Sequence, residues 1–203
     1  GAWQEQGFLD SMTTANLEKA GLLDEKKIRH RIEKYDMIIP VEFPVRDVLT
    51  PNGTGYHNTY DYVTRAWENL FIRKDDIDNM VNIIDTYFPE YSASTRAFMK
   101  GSTFRGFNIF ILKEELFHSL CEFEFGVLEK INSIIDYSYA SDSRKRAPGY
   151  LGEVLYSIWC YHQTKNKSLK ISEQQIIFFQ DTSKEKPIPV STDADNDVVT
   201  VCY

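Results

Sequence analysis

The stretch Lys113 to Ile135 constrains the fold most. Leu116, Leu120, Phe123, Val127, Ile131 and Ile134 recur three or four residues apart, the period that lines apolar side chains along one face of a long amphipathic helix. A helix over 113–135 must bury that face against other elements. Directly before it, FNIFIL (Phe107 to Leu112) follows Gly101 and Gly106, and its β-branched and aromatic content predicts a strand. The same switch between short apolar runs and helical periods recurs along the chain. It predicts an α/β fold, a small mixed sheet flanked by helices.

Leu22, Leu23, Ile28 and Ile32 among Lys, Glu and Arg predict a helix over 24–34, with Gly21 as a break before it. Tyr35–Ile39 reads as a buried strand. Pro44 to Asn58 holds two prolines, two glycines and an Asn-Gly pair and reads as a loop, long enough to suggest a function of its own. Helices are expected over 59–71 and 75–88, a short one over 91–99, and another over 150–162 after the polar turn YSYASDSRKRAPG. Lys170 to Phe179 reads as one or two strands. Residues 1–16 show no sustained period and are expected to form an irregular lead-in, leaving 17–180 as one domain. Residues 181–197 read as a polar linker, and the apolar run Val198 to Cys202 as the first strand of a following domain. A start at Gly rather than Met fits a piece excised from a longer protein.

The 203 residues are 42% hydrophobic and 26% charged, which excludes a disordered or collagen-like chain. A net charge of -7 argues against nucleic acid, whose phosphates require Lys and Arg gathered on one face. Aromatic residues at 14% either fill a core or form flat surfaces for rings and sugars. Cys121, Cys160 and Cys202 are odd in number and lack metal-ligand spacing, which points to a reducing compartment. No apolar run approaches the ~18 residues of a membrane span, and the first residues do not read as a signal peptide. A cytoplasmic location follows, compatible with the inner face of the cell membrane.

No phosphate-binding glycine loop, HExxH helix or Ser-His-Asp spacing is present. His30, His118 and His162 are scattered. His57 is singled out because it lies beside Tyr56 in the Gly/Pro loop, where both are candidate substrate contacts. Asn108 inside an apolar strand either holds a neighbouring loop or faces a cleft and bonds a sugar hydroxyl. Arg144, Lys145 and Arg146 precede the helix that carries Glu153. Such a start either attracts a phosphate-bearing ligand or is a solvated charge cluster.

Three segments, EKYDMIIP (33–40), GFNIFILKEELFHSLCEFEFGVLEKI (106–131) and RAPGYLGEVLYSIW (146–159), together resemble a bacterial glycosyltransferase-like domain of unknown function found in capsular polysaccharide biosynthesis proteins. NTYDYV (58–63) and FPEY (88–91) extend the resemblance, which covers Leu17 to Phe179. It implies a GT-A-like fold and transfer of a sugar from a nucleotide-sugar donor to a glycan acceptor. Carried onto this chain, it makes Glu153 the catalytic candidate and Asn108 and Arg146 substrate-binding candidates, with no metal ligand. Val154 stands where the family has Arg. The family's first half, with its nucleotide-binding strand, has no counterpart here, and Asp193-Ala-Asp195 lies in the linker. The resemblance therefore implies the later, acceptor-side part of such a domain, with no cofactor of its own, a divalent cation being compatible only with the full-length parent, and further domains on the same polypeptide. The alternative is a non-catalytic module that binds glycan or docks a neighbouring domain.

Overall fold

In chain order the elements are β1 (Phe8–Ser11), α1 (Thr14–Lys19), α2 (Glu25–Lys34), β2 (Met37–Pro40), β3 (Phe43–Pro44), a 3-10 turn at Val45–Asp47, α3 (Thr59–Arg65), α4 (Lys74–Tyr87), α5 (Pro89–Lys100), β4 (Thr103–Phe104), β5 (Ile111–Leu112), α6 (Glu114–Ile134), α7 (Asp142–Lys145), α8 (Ala147–Gln163), β6 (Ile171–Gln174) and β7 (Phe178–Asp181). The structure is a computed structural model that describes residues 7–50, 52–66, 71–135, 137 and 140–181.

The fold is mixed α/β with small sheets. β2 is the centre of one sheet, antiparallel to β5 and parallel to β6. Its Met37 and Ile39 are buried, as a Val/Ile-rich strand covered by helices requires. Asp36 fixes the register. Its carboxylate accepts from the Lys170 backbone N–H at 2.7 Å and pairs with Lys113 at 2.6 Å, while its carbonyl accepts from the Lys113 N–H at 3.0 Å. The Lys113 bond in particular holds this carboxyl below its usual pKa. β3 pairs antiparallel with β4, and β1 parallel with β7.

The helices pack as a layer around α8. Leu151, Val154, Leu155, Tyr156, Ile158, Trp159 and Cys160 of α8 are fully buried, with α5 on one side and α6 on the other. Trp159 donates its indole N–H to Ser119 at 3.3 Å, and Tyr91 of α5 stacks on Phe123 of α6 at 4.1 Å between ring centres. Among the described residues, nine aromatic side chains are buried in the core.

Several expectations change. Residues 8–11 and 14–19, read as an irregular lead-in, are a strand and a helix: Thr13 caps α1 by accepting from the Asn16 N–H, and Phe8 stacks on Phe178 across the β1–β7 pair. FNIFIL is a strand only at Ile111 and Leu112, because the backbone at Gly106 and Phe107 turns left-handed, with φ of 56° and 53°. The last helix starts at Ala147 with Pro148 in its first turn, where a missing N–H is harmless. The helix expected over 59–71 is described only to Arg65. The expected linker beyond Asp181, the run 198–202, Cys202 and Asp193 to Asp195 lie outside the described residues.

Arg105, 2% exposed, ties the sheets together. Its guanidinium donates to the Pro40 carbonyl, to Glu42 at 3.0 Å and to Glu173 at 2.7 Å, joining the ends of β2, β4 and β6. Removing one partner from a buried ion pair costs about 3–5 kcal/mol, but Glu42 and Glu173 are 29% and 48% exposed and hydrate once released. Arg105→Ala is therefore expected to lower unfolding free energy by about 2–3 kcal/mol in urea titrations; a loss below about 1 kcal/mol would contradict this role.

Candidate active site

Between β4 and β5 the chain passes over the side of α8. A non-glycine residue at φ near 53°, as at Phe107, costs on the order of 1–2 kcal/mol, so the kink persists only if its surroundings hold it. They do. The Gly106 N–H donates to Ser157 Oγ at 3.3 Å, the Phe107 N–H donates to the Glu153 carboxylate, and the Tyr156 hydroxyl donates to the Ile109 carbonyl at 3.1 Å. At about 1 kcal/mol each, these bonds outweigh the backbone cost. The Phe107 ring also packs edge-on against Phe178 at 5.3 Å, so the β1–β7 pair buttresses the kink.

The kink lifts Asn108 and Ile109 out to solvent. Asn108 is therefore neither in a strand nor buried, and neither its side chain nor its backbone serves the sheet. Its side-chain amide makes no hydrogen bond among the described residues and is exposed to solvent.

Glu153 is half-buried, and burial pushes its carboxyl above the usual range, with the Phe107 N–H opposing. The buried Tyr62 of α3 lies close enough for the Glu153 charge to help burial push its phenol further up. Glu153 and Asn108 border the same kink. Arg146 does not join them. It lies seven residues before Glu153, two helical turns or about 10 Å along the same face. There its guanidinium covers Phe71 at 5.8 Å and Tyr150 at 5.5 Å, rings that stack on each other at 4.2 Å. The adjacent Arg144 grips Asp76 with two bonds of 2.5 and 2.6 Å and donates to the Phe71 carbonyl, so the basic cluster at this helix start is largely consumed within the fold.

The pair Tyr56 and His57 is divided. Tyr56 is buried edge-on against Tyr62 at 5.4 Å, so its ring is core rather than a substrate contact. His57 is exposed. Its backbone N–H donates to Asp61, and its side chain borders an open groove with Tyr60, Thr64, Arg65 and Lys74. The other histidines are structural or on the surface. His162 meets Ser94 at 3.0 Å and lies over Tyr91, and His118 lies beside Glu114 on the outside of α6.

Sequence reasoning missed Glu124. This carboxylate projects from α6 toward α8 with no hydrogen bond or ion pair among the described residues, and burial alone pushes its pKa up to about 7. Gly152 makes room for it: a Cβ at that position would stand 2.7 Å from Glu124 Oε1, and 3.8 Å from Asn108 Nδ2. Glu124, Asn108 and Gly152 therefore converge on one point beside the kink. Gly149, one turn earlier, has open space above it. Among the described residues no group of three or more His, Cys, Asp or Glu side chains is arranged to hold a metal ion. No helix among them is long and apolar enough to cross a membrane.

Over 86% of its length the chain superposes on a solved structure of the WbbM bifunctional glycosyltransferase in its apo form, with a TM-score of 0.75 and 22% identity, and it spans 29% of that protein's length. The chain belongs to the family described as Domain of unknown function (DUF4422), whose profile matches residues 6–165. No curated protein matches its sequence.

The raised Glu124 pKa has a sign that can be measured. A carboxyl raised from 4.5 to about 7 by folding contributes stability that is complete below about 4.5 and is lost as pH rises through about 7. Wild-type stability in urea, taken relative to Glu124→Gln, should fall between pH 5 and 8. A flat or rising difference would show that Glu124 is not held as described.

Proposed function

We propose that this chain is part of a glycosyltransferase that moves a sugar from a nucleotide-sugar donor to a capsular or other surface polysaccharide, with the acceptor lying at the Asn108 kink. The observation that supports it most is the shared fold with a bifunctional glycosyltransferase over 86% of the chain. Asn108, exposed and unbonded, suits a sugar hydroxyl. Two half-buried carboxylates, Glu124 and Glu153, border the same kink. An acid with raised proton affinity is what deprotonating a hydroxyl near neutral pH requires. Glu153, bonded to the Phe107 N–H at the kink, holds or orients the acceptor side of the site, and one of these two acids takes the acceptor's proton. Arg146, two turns away, serves a more distant part of the ligand. The reading includes a cytoplasmic position at the inner face of the cell membrane and further domains on the native polypeptide that supply most donor contacts and any divalent cation.

A second reading, a non-catalytic glycan-binding module, draws on a different face. There Asn58, Tyr60, Asp78, Asn82, Arg96 and Lys100 line an open groove of about 560 Å³, the mix of amides, charges and an aromatic ring that suits sugar hydroxyls.

Calorimetry of the isolated chain with UDP-, GDP- and dTDP-sugars, with and without Mn²⁺, should show weak binding that the metal does not change. Tight binding that requires Mn²⁺ would overturn the division of donor and acceptor contacts. In the native polypeptide, Glu153→Gln should reduce turnover while the protein stays folded, whereas unchanged turnover would favour the binding module.

A further inference from the structure

We propose that Glu124 is the catalytic base of this site, taking the proton from the acceptor hydroxyl, and that Glu153 is a positioning residue that holds the Asn108 loop. The inference rests on the glycosyl-transfer reading and assigns its chemistry to a residue that the family motifs did not single out.

Three observations separate the two acids. First, the Glu153 carboxylate is engaged, accepting from the Phe107 N–H at a kink that would relax without it. Glu124 has no hydrogen bond or ion pair among the described residues, so its lone pairs are available to an incoming hydroxyl. Second, Gly152 brings the α8 backbone close to the acid: a Cβ at 152 would stand 2.7 Å from Glu124 Oε1 and would displace that carboxylate from its present position. Third, Asn108 Nδ2 approaches the same position from the loop side, giving an acceptor sugar a hydrogen-bond donor next to the base. Ile109, 45% exposed, follows directly in the chain and offers an apolar face to the sugar's C–H groups.

The groups around Glu124 agree with this role. From α8 the Tyr156 phenol faces it, and the Glu124 charge helps to keep that phenol protonated and donating to Ile109. From the loop the neutral amide of Asn108 borders the same space over Gly152. Among the described residues no Lys, Arg or His from α6 or any other element pairs with it. Nothing therefore lowers its proton affinity, and burial raises it toward neutrality.

The step balances as a direct displacement. The acceptor oxygen forms its bond to the anomeric carbon of the donor as the bond from that carbon to the diphosphate oxygen breaks. The electron pair leaves on the nucleoside diphosphate. The acceptor proton passes to Glu124 and later to solvent.

The test uses the native polypeptide with UDP-, GDP- and dTDP-sugars as donors and methyl hexosides as acceptors, measuring released nucleoside diphosphate. Glu124→Gln should lower kcat by about 10²–10⁴-fold with little change in donor KM, and should remove an inflection near pH 7 from the rise of kcat/KM with pH. Glu153→Gln should retain that inflection while the Phe107 amide exchanges faster with solvent. If Glu124→Gln keeps wild-type kcat and the inflection, the inference is wrong and the transfer reading stands. If the wild type turns over none of the donors, that reading falls and takes the inference with it. Carbon-13 NMR of the Glu124 carboxyl gives an independent check on the folded chain: titration near 7 is expected, and titration near 4.5 would overturn the assignment without any turnover assay.

Discussion

Burial of helix α8 on nearly every side governs the rest of the structure. From Val154 to Cys160 its side chains are excluded from water, yet the segment includes a serine and a tyrosine and follows directly on a glutamate. Buried polar groups must find partners. The partners here are the Gly106 and Phe107 amides and the Ile109 carbonyl, which belong to a loop that could otherwise continue the strand. Satisfying the helix bends the loop, and the bent loop presents Asn108 to solvent.

The same packing creates the unusual electrostatics. α6 lies against α8, with Ser119 accepting from Trp159 and the Glu124 carboxylate close over Gly152. Where Asp36, Asp61 and Asp78 each gain a bonding partner and have their pKa values lowered, Glu124 gains none and moves the other way. One carboxylate left unbonded in a fold that bonds these others marks a position under a constraint other than stability.

Much of this was legible in the chain and some was not. The α6 helix could be read almost to the residue because its apolar stripe runs for five turns. The mixed α/β class followed from the alternation of runs. Asn108 was read inside a strand, which it is not: FNIFIL has high strand propensity, and the left-handed turn at Gly106 and Phe107 overrides it through bonds to α8, some fifty residues away, that no local pattern encodes. Tyr56 failed as a ligand contact because a loop rich in glycine and proline can still fold its aromatic residue into the core. Arg144 and Arg146 looked like a free basic cluster because Asp76, Phe71 and Tyr150 meet them only in three dimensions. Glu124 reads as an ordinary acid between two phenylalanines. The signal that could have found it is Gly152, a glycine inside a predicted helix whose reason lies on another element.

The central claim is that carbohydrate is bound at the Asn108 kink rather than in the Tyr60 groove on the other side of α3. The most direct measurement is a nitrogen-15 NMR titration of the labelled chain with methyl hexosides, following side-chain amides. The account predicts saturable shifts of the Asn108 side-chain amide and the Phe107 and Ile109 backbone signals, with Asn58 and Asn82 unmoved. Shifts confined to Asn58 and Asn82 would contradict it.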